Sequence, residues 1–150
     1  IMKTFKTKGG SELIISQIKG KDYLMVAQRI IWFREEHPDY TIETEIIKLA
    51  QDSCLSKAYI KDSSGRIISM SHKFEDAKGF PDFIEKSETG AIGRALALSG
   101  FGTQFCADDL DEGKRLADAP IESKNNNVTF DNYKPEKVGT NNGNRSKNEL

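Results

Sequence analysis

Arg94 stands beside two glycines in a segment whose pattern otherwise predicts a helix. Segment 88–102 reads ETGAIGRALALSGFG, and Gly90 and Gly93 lie inside it. Each glycine costs about 1 kcal/mol relative to alanine in a helix interior. On a helical wheel both fall on one arc with Lys86 and Arg94, two turns apart. A smooth, basic helix face permits close approach to the backbone, and arginine binds phosphate oxygens bidentately. The arc therefore predicts a phosphate-binding surface.

A neighbouring helix or a second subunit that packs against the glycines is the alternative interpretation of this arc. Ala97 and Gly100 belong to it as well, so it is small along its whole length. The other arc is apolar and is expected to face the core, with Ile84, Ala91, Ile92, Ala95, Leu96 and Leu98. The two interpretations are compatible, and both remain open at this point.

A β-hairpin expected over residues 53–74 supplies a second basic surface. The turn residues Asp62-Ser63-Ser64-Gly65 separate two strand-like runs, 53–62 and 66–74. Basic side chains around one aromatic residue suit single-stranded nucleic acid, since cations meet phosphates and the ring meets bases. A solvated strand face without function is the alternative for each residue. The residues of this second surface are Lys57, Tyr59, Lys61, Arg66 and Lys73.

The remaining periodicity predicts elements in the order α-β-β-β-α. A first helix is expected from an N-cap at Asp22 to His37-Pro38, with Arg29 and Trp32 on its solvent side. A strand follows over residues 40–47, then the hairpin, then a second helix from Pro81-Asp82 to about Gly100. Leu13 to Ile18 could form a short strand, and residues 103–118 a short helix with an acidic start. The expected fold is α+β, a three-stranded antiparallel sheet with packed helices.

Composition excludes several function classes and divides the chain in two. The 22 Lys and Arg residues nearly balance the 23 Asp and Glu residues, so an anion site must come from local placement of charge. We expect a core domain over residues 1–118 and a flexible tail over 119–150, which is rich in Asn, Lys and Gly. Cys54 and Cys106, without a CxxC motif, suit a reducing cytoplasm better than a disulfide scaffold. No apolar run approaches the length of a membrane span.

Catalytic and metal-binding motifs are not recognisable, so we expect no enzyme, cofactor or metal. The phosphate-binding loop of ATP-driven recombinases, G-x-x-x-x-G-K-[ST], is missing. His37 and His72 have no metal-ligand spacing to the cysteines. Asp109-x-Asp111 is similar to a calcium loop, but the glycine at 113 comes one place too early. The run Asp108, Asp109, Asp111 and Glu112 is better interpreted as a solvated helix start.

Two stretches of this chain resemble the single-strand annealing proteins of bacteria and phages. They are KDYLMVAQRIIWFREEHPDYTIETEII and, after the basic hairpin, FPDFIEKSETGAIGRALALSGFGTQF. The similarity, over about residues 20–105, is to the DNA damage response protein A and essential recombination function types. These are grouped with the eukaryotic radiation-repair annealing protein.

The resemblance implies a β-β-β-α core that assembles into rings or helical filaments. It also implies a groove that holds single-stranded DNA and promotes annealing of complementary strands in recombination or repair, without nucleotide hydrolysis. Arg94 matches a basic cluster of the eukaryotic relative, but Gly93 and Ala97 stand where that cluster is basic. Because of this departure, we expect Lys86 and the hairpin residues to supply more of the DNA contacts. The expected partners are single-stranded DNA, further copies of the chain and, through the tail, a single-strand binding protein.

Two other functions stay open from the sequence. Double-stranded RNA-binding domains share the order α-β-β-β-α, but they carry a lysine cluster at the start of the last helix. This chain has FIEKSE there, over residues 83–88. An assembly or adaptor protein, whose basic surfaces face other subunits or a partner, is the second alternative.

Overall fold

The computed structural model describes residues 2–110, which form a mixed α+β fold. Four short strands come first and pair as two antiparallel hairpins, β1 (Thr4–Lys6) with β2 (Glu12–Ile14) and β3 (Ser16–Ile18) with β4 (Lys21–Tyr23). Helix α1 (Val26–Glu36) precedes an antiparallel sheet of β5 (Thr41–Leu49), β6 (Ser53–Lys61) and β7 (Ile67–Asp76), with β6 in the middle. Helix α2 (Phe83–Leu98) and a one-turn 3-10 helix (Thr103–Phe105) follow. The predicted α+β fold and its order α-β-β-β-α are confirmed, and the amino-terminal hairpins are added to them.

The hairpin of β6 and β7 forms where its turn chemistry predicts it. The Asp62 carboxylate accepts hydrogen bonds from the backbone N–H groups of Ser64 and Arg66, both at 3.0 Å. Gly65 takes a φ of 85°, a left-handed conformation that favours glycine. The Ser64 hydroxyl also donates to the Asp62 carboxylate at 2.7 Å, and this bond, together with the backbone bonds, holds the pKa of Asp62 below its usual value. Local residues therefore set the register of this hairpin.

Small residues bring α2 close to the sheet. The Ser71 hydroxyl donates to the Ala91 carbonyl at 2.6 Å, and the Ser69 hydroxyl donates to the Ala95 carbonyl at 2.7 Å. Bulky side chains at these positions would hold the helix away from β7. The small alanines allow the close approach, and the serine hydroxyls then reach the helix carbonyls. The helix is thereby fixed along β6 and β7, and the functional side chains on its surface are positioned with it.

The buried side of α2 is broader than the predicted arc. Leu98, expected in the core, is 55% exposed, whereas Gly93 and Ala97 of the opposite arc are buried. The prediction was wrong because the helix is covered twice, by the sheet and by α1, whereas a helical wheel assumes one buried side. The core around it consists of Phe33, Ala58, Ile60, Ala91, Ala95, Leu96 and Phe101.

Helix α1 begins later than predicted and is rotated. Asp22 does not cap it but lies in β4, where it accepts hydrogen bonds from the side chains of Lys3 and Gln17. Arg29, expected at the surface, is completely buried, and Trp32 packs on Phe5 at a centroid distance of 4.9 Å. The wheel assigned both residues to solvent, but an amino-terminal hairpin covers Trp32 through Phe5, and α2 with the segment after it covers Arg29. The predicted end at residue 37 is confirmed.

Several predictions lie outside the described residues. They are the domain boundary, the tail over 119–150, and the acidic positions 111 and 112. The expected helix over residues 103–118 is represented in the described part by the 3-10 turn alone. Cys54 and Cys106 are buried and not bonded to each other. No helix within residues 2–110 has the length and apolar character needed to cross a lipid bilayer.

Candidate functional site

The structure divides the predicted site residues between two surfaces. Lys57, Tyr59 and Lys61 alternate along β6 with the buried residues that face α2, so they lie on the other side, which we call the outer sheet face. Lys73 pairs with the buried Ser56 and therefore lies on the helix side of β7. Sequence reasoning placed all of these residues on one hairpin surface, and strand alternation separates Lys73 from the rest.

Lys73 joins the two predicted cations of α2. A Cβ atom added at Gly90 would lie 2.6 Å from Lys73 Cγ, so the lysine stem crosses the helix at that glycine. Lys86 lies one helical turn before this crossing and Arg94 one turn after it. We call this group of Lys73, Lys86 and Arg94 the α2–β7 surface. Gly90 thus makes room for a basic side chain of the protein itself.

The other glycine of the arc makes room for a helix. A Cβ atom at Gly93 would lie 2.6 Å from Val26 Cγ2 in the first turn of α1. Arg29 also reaches this point, and its Nη1 donates to the Gly93 carbonyl at 2.8 Å. The expectation that the glycine backbone is open to a ligand is therefore wrong at Gly93. The alternative interpretation, a neighbouring helix, is correct here, and the neighbour is α1 of the same chain.

One nitrogen of the Arg94 guanidinium makes a hydrogen bond, and another has no hydrogen-bond partner among the described residues. Its Nη1 donates to the backbone carbonyl of Asp109, while its Nε is buried without a hydrogen-bond partner among the described residues. The side chain lines a small cavity of about 40 Å³ together with Lys73, Gly90 and Tyr23. Arg94 is thus fixed in place beside Lys73, with donor capacity left over.

Lys86 lies over an aromatic ring at the start of α2. Its Nζ is 3.7 Å from the ring centre of Phe80, which is itself exposed. This cation–π contact holds the ammonium at the surface and leaves its N–H donors available, since a ring face accepts no strong hydrogen bond. A carboxylate oxygen of Glu75 lies 3.7 Å from Lys73 Nζ, another cation of the α2–β7 surface.

Arg29 is a residue whose importance sequence reasoning missed. Its Nε donates to the Leu24 carbonyl at 2.8 Å, and its Nη2 contacts the Asp109 carboxylate at 2.8 Å. Asp109, interpreted as a member of a solvated acidic run, is therefore the counterion of a buried arginine. The same carboxylate raises the pKa of Tyr23, after the larger effect of burial. No local pattern could reveal this pair, because the two residues are 80 positions apart.

On the outer sheet face, cations and acids alternate around Tyr59. The ammonium groups of Lys57 and Lys61 lie 4.7 Å and 5.5 Å from the centre of its ring. Lys61 Nζ also contacts a Glu43 carboxylate oxygen at 2.7 Å, and the Tyr59 hydroxyl donates to Glu45 at 3.1 Å. The predicted cluster of two lysines and a tyrosine is present, but acids from β5 partly neutralise it.

Strand β7 adds exposed residues that were not predicted for any site. Phe74 is 58% exposed on the outer sheet face, and the alternate positions before it are occupied by His72, Met70 and Ile68. Arg66 is exposed just before this strand, after the turn, as expected for its position. The alternation of Ile68, Met70 and His72 with the small residues Ser69 and Ser71 is the sequence signal that could have revealed this row.

Within residues 2–110, no three His, Cys, Asp or Glu residues are grouped closely enough to hold a metal ion. His37 stacks on Tyr40 with ring centroids 4.1 Å apart, and His72 lies on the outer sheet face opposite Lys57.

Comparison with known proteins connects this arrangement with one family. A family model described as Slr1353 N-terminal dsRNA-binding domain-like matches residues 30–99. That range contains the second half of α1, the whole three-stranded sheet and α2. Comparisons with curated proteins and with solved structures give no match. Over the part of the chain that carries both candidate surfaces, the protein is thus similar to a double-stranded-RNA-binding-like domain, and these comparisons do not support the annealing family specifically.

Proposed function

We propose that this domain binds nucleic acid and that the α2–β7 surface holds its phosphate backbone. The observation that carries the proposal is the crossing of the Lys73 stem over Gly90, between Lys86 and Arg94. It gathers three cations from two elements along one edge of the domain. The match to a domain of the double-stranded-RNA-binding type supports nucleic acid as the ligand class.

The balance of charge at this edge favours a polyanion. The whole chain has a formal net charge of −1, so attraction for a polyanion has to come from the local grouping of Lys73, Lys86 and Arg94. Glu75 lies at the limit of an ion-pair contact with Lys73, and Asp109 is already bound to Arg29. Asp82, Glu85 and Glu88 flank Lys86, so the positive charge that phosphates can neutralise at this edge is centred on Lys73 and Arg94. Contacts of this kind position a strand without reading its sequence.

We further propose that the ligand is single-stranded DNA. The start of α2 carries Asp82, Glu85 and Glu88 around Lys86, where double-stranded RNA-binding domains have a lysine cluster. A single strand offers both phosphates and free bases, and the domain has cations on one surface and exposed rings on the other. The resemblance to single-strand annealing proteins supports the same ligand.

In this proposal the protein is not an enzyme and needs no cofactor. Several copies, in a ring or filament, would align their α2–β7 surfaces, so that many phosphates are neutralised although each subunit is nearly neutral. Strands held by their backbones keep the pairing edges of their bases free, which promotes annealing of complementary strands in recombination or repair. A single-strand binding protein, recruited through the tail, would deliver coated strands to such an assembly.

The experiment that tests this function compares three ligands of the same length and sequence: single-stranded DNA, duplex DNA and duplex RNA. Fluorescence anisotropy with the full chain is expected to give the tightest binding to single-stranded DNA. The double variant Lys73→Gln/Lys86→Gln should weaken this binding, whereas Lys8→Gln, a lysine of the β1–β2 turn, serves as the matched control. Equal affinity of the double variant and the unchanged protein would remove the α2–β7 surface from the proposal.

Duplex RNA binding is the second candidate, because the family match and the order of elements favour it. It would replace the first candidate if duplex RNA bound more tightly than single-stranded DNA. A protein that assembles but binds none of the three ligands would indicate the assembly or adaptor function instead. Electron microscopy with and without an oligonucleotide distinguishes that outcome.

A further inference from the structure

Strand β7 exposes apolar side chains on the outer sheet face, on the opposite side of the strand from the α2–β7 surface. Ile68, Met70 and Phe74 are 43%, 50% and 58% exposed on the outer sheet face. In the part of the chain that the structure describes, no strand pairs with the free edge of β7. An apolar row of this size at a sheet edge indicates a contact surface.

The residues around this row favour a polyanion that also carries flat apolar groups. Tyr59 lies opposite Met70 on β6, and Lys57 lies opposite His72. The acids Glu43 and Glu45 are on β5, about 9 to 10 Å from β7 across two strand spacings. A ligand that enters over the free edge of β7 therefore meets the ammonium of Lys57 before the acids of β5. This order of charges at the edge fits a nucleic-acid strand, whose phosphates are attracted to lysine.

The two surfaces meet at β7. Lys73 points to the helix side and Phe74, its neighbour in the chain, to the outer sheet face. A strand whose phosphates contact Lys73 therefore needs only to cross the free edge of β7 for its bases to reach Phe74. Tyr59 and Phe74 are about 13 Å apart along the strand direction, since Phe74 lies four positions after Met70, the residue opposite Tyr59. The two rings are thus far enough apart to meet two different bases.

We propose that the outer sheet face is a base-stacking platform, on which Phe74 and Tyr59 stack against bases of the single strand that the α2–β7 surface holds. The platform rests on the proposed function, because it needs a bound strand. Stacking occupies the flat face of a base and leaves its pairing edge free, so it is compatible with annealing. The cation–π contacts of Lys57 and Lys61 with Tyr59 are exposed and weak, so a base can displace them.

The test uses the full chain and single-stranded DNA that contains 2-aminopurine, a fluorescent base whose emission falls when it stacks on a ring. Binding of the unchanged protein should lower the 2-aminopurine emission relative to that of the free DNA. Phe74→Ala should lose much of this quenching and weaken binding on the order of tenfold. Phe74→Trp should restore both. Ile31→Ala, at an exposed apolar residue on α1, is the matched control and should behave like the unchanged protein.

The outcomes separate the platform from the function on which it rests. If Phe74→Ala binds and quenches like the unchanged protein while Lys73→Gln weakens binding, the platform is wrong and the proposed function stands. If no oligonucleotide binds the unchanged protein, both are overturned. If Phe74→Ala alters the sedimentation of the protein alone and leaves DNA binding unchanged, the row is a subunit contact and the platform is overturned.

Discussion

The guanidinium of Arg29 and the carboxylate of Asp109 are joined by a hydrogen-bonded ion pair of 2.8 Å across 80 positions of the chain. Arg29 is completely buried, whereas the Asp109 side chain is 29% exposed. The pair binds the segment after α2 to α1, and the Asp109 carbonyl accepts a hydrogen bond from Arg94. The position of a predicted phosphate-binding residue thus depends on an ion pair outside the candidate surfaces.

Asp109→Ala is expected to destabilise the domain strongly. The substitution leaves the buried Arg29 charge without its carboxylate, and loss of one partner from a buried pair costs about 3 to 5 kcal/mol. Because Asp109 is partly exposed and Arg29 keeps two carbonyl partners, we expect about 2 to 3 kcal/mol. Urea unfolding of the variant measures this difference. Asp109→Asn keeps an acceptor oxygen and should cost less, and equal stability of Asp109→Ala and the unchanged protein would contradict the assigned role.

The two glycines of α2 are expected to respond oppositely to alanine. At Gly93 the new Cβ would meet Val26 Cγ2 at 2.6 Å, and this β-branched side chain at the start of α1 cannot move away freely. Gly93→Ala should therefore destabilise by about 1 to 3 kcal/mol. At Gly90 the Cβ would meet the flexible stem of Lys73, which can shift, while the helix gains up to about 1 kcal/mol.

Thermal unfolding of the two glycine variants gives the comparison, with each serving as the control for the other. Gly90→Ala should also change DNA affinity, since it displaces the Lys73 ammonium. If Gly93→Ala were as stable as the unchanged protein, the close packing of α1 on α2 would be wrong.

Removal of one cation from the α2–β7 surface should make DNA binding less dependent on salt concentration, by an amount that can be calculated. For a single strand, each phosphate contact contributes about 0.7 to the slope of log affinity against log salt concentration. Lys73→Gln and Lys86→Gln should each reduce the slope by about 0.7. Anisotropy titrations at several salt concentrations measure it, and Lys8→Gln should leave it unchanged. Variants that lose affinity with an unchanged slope would show that these lysines do not contact phosphates.

The stability of the amino-terminal hairpin should depend on pH through Glu35. Hydrogen bonds from the Thr7 and Ser11 hydroxyls hold the pKa of this carboxyl below its usual value. A carboxyl group whose pKa is lowered by folding stabilises the fold at pH values above its unfolded-state pKa. This contribution is lost as the pH falls through its folded-state pKa. The stability difference between the unchanged protein and Glu35→Gln should therefore narrow below about pH 4. Urea midpoints at several pH values measure it, and a difference that is constant with pH would contradict this.

Some features of the site were predictable from the sequence because their causes are local. Lys57, Tyr59 and Lys61 were expected on one strand face, and alternation within β6 places them there. Lys73 was assigned to the same surface, although its side chain lies on the helix side of β7. The side of the sheet on which Lys73 lies follows from the register of β7 relative to β6. That register is set by the pairing of the two strands in the folded protein.

The sequence alone determined the order α-β-β-β-α, the hairpin at Asp62 and the end of α1, because turn chemistry and periodicity act between residues close in the chain. Only the tertiary structure decided which faces are buried. Gly93 lies under α1, Arg29 pairs with Asp109, and Lys73 crosses Gly90, and each of these contacts joins separate elements. These contacts form because α2 packs between the sheet and α1, which brings together residues that are far apart in the chain. A local sequence pattern does not contain that information.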